Sequence, residues 1–161
     1  MASENTNRVT YALRRLVSDT RPPLPKLLLA GSVWVLLWPA RLAVLAVPLR
    51  VFSRFLGKDL GVEGTSPSVD PESREKAERI ADAFTMALRY SPESANCYPQ
   101  AIVAHMILSL RGVAHALFFG LHREESGAEM EAHAWVMVDD LVVCGGHCHE
   151  KYTVVRCFVG E

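Results

Sequence analysis

An α+β fold is what this sequence predicts, with helices first and an antiparallel sheet after them. Three observations carry that prediction. Ala77, Ile80, Ala81, Phe84 and Leu88 recur at helical spacing, a mostly apolar helix follows from Cys97, and from Val113 the period drops to the alternation of strands. With 161 residues, half of them hydrophobic, the chain can bury one sizeable core and is too short for two full domains.

Charge divides the chain. The formal net charge is −1, which gives no global reason to expect a nucleic acid partner. Residues 1–60, however, hold 9 Lys and Arg against 3 Asp and Glu, whereas residues 61–161 hold 8 against 15. A basic apolar part joined to an acidic part suggests two different jobs. The four cysteines are Cys97, Cys144, Cys148 and Cys157, and Met1–Asn5 has nothing of a signal peptide. A reducing cytoplasm and free thiols are therefore expected.

In order, residues 1–25 read as a mobile arm, with a short helix over Val9–Val17 and a Pro-rich end at Arg21-Pro22-Pro23-Leu24-Pro25. Residues 26–60 form an apolar, basic helical segment. Leu27–Trp38 is a twelve-residue apolar run apart from Ser32, shorter than about 30 Å of hydrocarbon requires, and Pro39, Arg41, Pro48, Arg50 and Arg54 interrupt the residues beyond it. A spanning helix would bury Arg41 at a cost of roughly 3 kcal/mol. An in-plane membrane helix with Trp34 and Trp38 at headgroup level is a second reading. The favoured one is one or two kinked helices packed on this domain or on a partner.

Residues 61–69 have a linker composition, with Gly61, Gly64, Ser66, Pro67 and Ser68. Residues 70–161 are then the main domain. Asp70-Pro71-Glu72 starts a helix with Asp70 as N-cap, and that helix should stop at about Tyr90, before Pro92. Ser91–Asn96 is a polar turn delivering Cys97 to a helix that ends at Arg111-Gly112. Strands are expected over Ala114–Leu121, Ala132–Val138, Leu141–Val143 and Tyr152–Val159, with a charged loop at Arg123–Glu129 and a turn at Asp139-Asp140.

Two residues in this frame suit nucleophilic catalysis. Cys97 stands at a helix start, where unpaired N–H groups and the helix dipole favour a thiolate, and His133 lies inside a strand of the sheet that helix should pack on. The spacing of a Cys–His pair does not transfer between families, and a single Cys near a helix start is also an ordinary buried residue. More residues are needed to decide.

They are present. Asn96-Cys97-Tyr98-Pro99-Gln100-Ala101, leading into an apolar helix ending at Arg111-Gly112-Val113, is followed by Ala132-His133-Ala134-Trp135-Val136-Met137-Val138-Asp139. The chain thereby resembles the transglutaminase-like cysteine peptidases of lasso peptide biosynthesis, the leader peptidases that mature that class of ribosomally made peptide. The resemblance covers residues 70–161, and a basic apolar segment before them is usual in that family. It implies a transglutaminase/papain-like core, Cys97 as nucleophile, His133 as its base, and no cofactor.

Family members often carry an acidic third residue on the strand after the histidine. Here that strand reads Val142-Val143-Cys144-Gly145-Gly146-His147-Cys148-His149, without a carboxylate before Glu150. A two-residue turn at Asp139-Asp140 would set His133 opposite Gly146, and one extra residue in the turn would set it opposite His147. Asp139 is a poor substitute, because six strand residues at about 3.3 Å each carry it roughly 20 Å away. His147 is the candidate third member, with a backbone carbonyl or a water as the alternative.

Trp135 shares the face of His133, either lining a substrate site or packing in the core. Cys144, His147, Cys148 and His149 invite a zinc reading, but they include no CxxC pair and strand geometry would send His147 and Cys148 to opposite faces. His105, His115 and His122 read as ordinary packing or surface histidines, His122 beside Arg123-Glu124-Glu125 as a solvated one.

In the resembling family a winged-helix domain captures the leader. Residues 1–60 are too short and too apolar to be that domain, so a separate recognition protein is implied, together with the precursor peptide and a lasso cyclase. Residues 26–56 would dock one of those proteins or a membrane. Acyl transfer of the transglutaminase type and a non-catalytic precursor-binding module are the rival readings.

Overall fold

The computed structural model describes residues 22–46, 51, 53–89, 97–123, 130–146 and 149–161. The expected short helix over Val9–Val17, the turn before Cys97, most of the charged loop after Arg123, and His147 with Cys148 lie outside these residues.

Helix α1 (Leu24–Ala46) runs unbroken for 23 residues with Pro39 inside it. This corrects the expectation of a run too short for a bilayer: at 1.5 Å per residue the helix is about 35 Å long, and by length and composition it could cross one. Neither supposed interruption ends it. Pro39 forgoes one hydrogen bond, to the Val35 carbonyl, and Arg41 is only half-exposed. Ala30, Val33 and Leu37, at helical spacing, are buried in the main core, where α1 meets the next two helices.

Strand β1 (Lys58–Gly61) lies where the sequence suggested the end of a helical segment and a linker. Its side chains are mostly exposed and lack alternation, so the strand owes its existence to backbone pairing with the C-terminal strand rather than to a readable pattern. Helix α2 (Pro71–Arg89) starts as expected: Asp70 Oδ1 accepts hydrogen bonds from the backbone N–H groups of Glu72 at 2.9 Å and Ser73 at 3.0 Å. Its buried stripe is Ala77, Ile80, Ala83, Phe84 and Ala87.

Helix α3 (Cys97–Leu110) is buried on most sides, including Gln100 and His105. Pro99 fits its first turn, where the missing N–H removes no helical bond. The helix ends in a Schellman motif, with Gly112 N–H on Ser109 O and Val113 N–H on Leu108 O, both 3.0 Å, and Gly112 at φ 61°.

Four further strands complete the sheet: β2 (His115–Arg123), β3 (Met130–Val138), β4 (Leu141–Cys144) and β5 (Thr153–Gly160). The order is β1-β5-β2-β3-β4, with every pair antiparallel. Alternation splits the residues between two faces. Leu117, Ala134, Val136, Val138 and Phe158 pack in one core with α1, α2 and α3. Ala116, Phe118, Trp135 and Cys157 form a smaller cluster on the opposite face, joined by Met137, Tyr152 and Val154. The expected α+β architecture, with an apolar helix in front, is the one observed.

Candidate active site

Cys97 is the first residue of α3. Its backbone N–H therefore has no partner within the helix, and its half-buried side chain packs at the rim of the main core. Tyr98 follows it, set edge-on to Phe119 with ring centroids 5.5 Å apart. The buried hydroxyl of Tyr98 has no hydrogen-bond partner among the described residues. Cys144, at the end of β4, belongs to the same core, and burial pushes its thiol up to about 12, the backbone of Val136 opposing and the nearby Cys97 adding to the rise. Cys157 lies in the smaller cluster and is likewise pushed up, to about 11, by burial and then by Asp59. A thiol held that high is inert near neutral pH.

His133 is built from a different set of contacts. Its ring stacks on Tyr152 with centroids 4.7 Å apart and on Trp135 at 5.9 Å. Gly120 lies directly opposite it on β2, and a Cβ there would come within 2.8 Å of both the Trp135 ring and Tyr152 Cβ. The glycine makes room for the aromatic group that supports the imidazole. Trp135 is 3% exposed and stacks in turn on Phe118 at 5.5 Å, which packs it beneath His133.

The orienting partner of His133 is a backbone carbonyl. Nε2 of His133 lies 2.7 Å from the carbonyl oxygen of Gly145. A carbonyl only accepts, so Nε2 carries the proton and Nδ1 of the neutral ring is the bare acceptor. The register explains why position 145 arrives here. The turn at Asp139-Asp140 pairs Val138 with Leu141 and Met137 with Val142, as a two-residue turn requires, but Val136 then pairs with Cys144. Val143 is a bulge residue, so the extra residue that the sequence allowed in the turn sits instead in the strand. Pairing stops at Cys144, and Gly145 turns away with φ 71°. A Cβ on Gly145 would run into the Ala134 carbonyl, so only glycine brings this carbonyl to His133.

The structure thus gathers His133, Trp135, Tyr152 and the Gly145 carbonyl. It does not join Cys97 to His133: no hydrogen bond links them among the described residues. By alternation His133 shares the face of Trp135, whereas α3 packs on the face of Ala134 and Val136. Both residues border the same edge of the sheet, Cys97 beside Cys144 and His133 on Gly145. His147, the candidate third member, lies outside the described residues, as does Cys148 of the supposed zinc cluster. His149 contacts the Gly146 carbonyl through Nδ1 at 3.1 Å.

Gly145 and Tyr152 were not legible as site residues. Tyr152 donates from Oη to Glu131 at 3.1 Å, and Lys151 pairs with the same carboxylate at 3.0 Å. Those bonds, Lys151 first and Tyr152 next, hold the Glu131 carboxyl below its ordinary range. The available signal was position alone: Glu131 and His133 share a face of one strand, and Tyr152 precedes the strand that pairs two places away.

The structure thus sets a helix-initial cysteine beside an antiparallel sheet that carries an oriented histidine, within an α+β fold. The model of the Transglutaminase-like superfamily matches residues 43–157, well over half of the chain, and the protein belongs to that superfamily. The superfamily commonly contains cysteine-dependent enzymes. Neither a curated relative nor a solved structure matches the chain.

Proposed function

We propose that the protein is a cysteine peptidase that removes the leader from a lasso peptide precursor, freeing the core N-terminal amine for macrolactam formation by a separate cyclase. The observation that supports the reading is a helix-initial Cys97 and, at the same edge of the sheet, an imidazole whose Nε2 is committed to Gly145, which leaves Nδ1 as the nitrogen to take a thiol proton. The sequence motifs around both residues support the lasso assignment.

The chemistry balances on these groups. Cys97 Sγ attacks the carbonyl carbon of the last leader residue as its proton passes to His133 Nδ1. The N–H of Cys97, which has no partner within the helix, donates to the developing oxyanion. The C–N bond breaks, His133 returns its proton to the departing core amine, and a thioester remains. Water then gives a proton to His133 and attacks the thioester, releasing the leader acid and restoring the thiol. Sγ and Nδ1 must meet around the Cys144–Gly145 edge for this to occur, and such contacts commonly tighten only when substrate binds.

A winged-helix recognition protein would hold the leader, and an ATP-using cyclase would take the product. A second reading draws on the separation of Cys97 from His133 and on the absent carboxylate: a module that binds precursor without cutting it. Acyl transfer by the same thioester differs only in the acceptor.

Mass spectrometry of the cognate precursor, incubated with this protein and its recognition partner beside Cys97→Ala, tests all three. Cleavage at one leader–core bond by the wild type alone supports the peptidase. A new amide or crosslink points to transfer, and an intact peptide in both reactions to the binding module.

A further inference from the structure

Helix α1 uses one face inside the domain and leaves the opposite one uncovered. Ala30, Val33 and Leu37 are buried, while Leu24, Leu28, Val35, Trp38, Leu42 and Leu45 are between 46% and 77% exposed. At 3.6 residues per turn the exposed set, with Trp34 on its margin, spans roughly 120° of arc and runs the whole length of the helix, on the side away from the core. No acidic residue occurs anywhere in α1. The one hydroxyl beside the exposed arc, Ser32 Oγ, is already satisfied by the Leu28 carbonyl at 2.9 Å, and the Val35 carbonyl, which Pro39 leaves without its helical bond, is a polar group this face would carry to the headgroup level.

We propose that this face seats on an anionic lipid bilayer, with α1 lying in the plane of the membrane and the rest of the domain above it. Charge complementarity selects the occupant. The cations along and just after the helix are Lys26, Arg41, Arg54 and Lys58, within the part of the chain that holds 9 Lys and Arg against 3 Asp and Glu. Trp34 and Trp38, in edge-on contact at 6.0 Å, border the apolar arc where an interface places indoles. A partner helix fits less well, because a helix–helix seam is narrower and flanked by charges, and this arc has neither property. A spanning orientation is opposed by packing: it would strip Ala30, Val33 and Leu37 from the core and break the Lys26–Asp82 ion pair at 2.6 Å.

The test uses the full chain with vesicles of phosphatidylcholine, with and without phosphatidylglycerol. The wild type should float with the anionic vesicles, release in high salt, and show a blue shift of tryptophan emission. Trp34 and Trp38 report that shift, because Trp135 is buried in both states. Leu28→Glu with Leu42→Glu, both at exposed positions, should lower vesicle binding about tenfold or more without moving the melting temperature. Three results would overturn the proposal: no flotation of the wild type, equal flotation of the double variant, or a dimer in solution that the double variant abolishes while vesicles bind neither. None of these readouts depends on peptidase activity.

Discussion

His133 Nε2 lies 2.7 Å from the carbonyl oxygen of Gly145, and this contact does the orienting that the resembling family often assigns to a carboxylate. A neutral carbonyl fixes the tautomer and the ring plane as a carboxylate would. It brings no full charge to the ring, so this contact supplies aim alone.

Gly145→Ala should be costly for two independent reasons. The left-handed φ of 71° alone costs an alanine about 1–2 kcal/mol, and the new Cβ would meet the Ala134 carbonyl. Thermal denaturation should show a loss of about 2 kcal/mol or more, with leader cleavage falling further than stability explains. A variant as stable as the wild type would mean that the turn after β4 is loose.

The thiols should separate by reactivity. In folded protein near pH 8, iodoacetamide should label Cys97 well before Cys144 or Cys157, since burial holds the last two at about 12 and about 11. Peptide mapping of a short labelling time course would show the order. Labelling of Cys144 as fast as Cys97 would contradict the buried setting of β4.

Particular residues show what could be read from the sequence and what could not. The Asp70 cap, the Gly112 stop and the alternation of β2, β3 and β5 obey local rules, and those elements fell within two residues of expectation. Strand β1 had no local rule to reveal it, because Lys58-Asp59-Leu60-Gly61 takes its form from a partner almost 100 residues away. Helix α1 outran its expected length because Pro39 removes one bond and not the helix. Cys97 and His133 stood out through their motifs. The Gly145 carbonyl could not, since backbone carbonyls are common to every residue and only the bulge at Val143 aims this one.

Tyr152 is expected to act through its ring. Tyr152→Phe keeps the stack on His133 and loses only the exposed bond to Glu131, so cleavage should stay within about threefold of wild type. Tyr152→Ala removes one wall of the imidazole and should lower kcat by about tenfold or more with little change in KM. Equal losses in both variants would assign the role to the hydroxyl instead.

Acid should weaken the fold through His115. This ring is fully buried, with Nδ1 2.7 Å from the Val113 carbonyl and Nε2 2.8 Å from His105 Nδ1, while His105 Nε2 lies 3.1 Å from the Phe55 carbonyl. The two carbonyls take the protons of both neutral rings, so the contact between the rings invites a third proton. Burial opposes it, and no carboxylate is among the groups acting on either ring. Burial prevails and holds His115 down to about 4, against about 6.5 for an unfolded histidine. Between those values the unfolded chain binds more protons than the folded one, so stability present above pH 6.5 is lost as pH falls toward 4, by about 3 kcal/mol in all. Urea midpoints across that range, with an NMR titration of the histidine rings, would measure it. A fold that gains stability on acidification would mean that the rings hold the third proton after all.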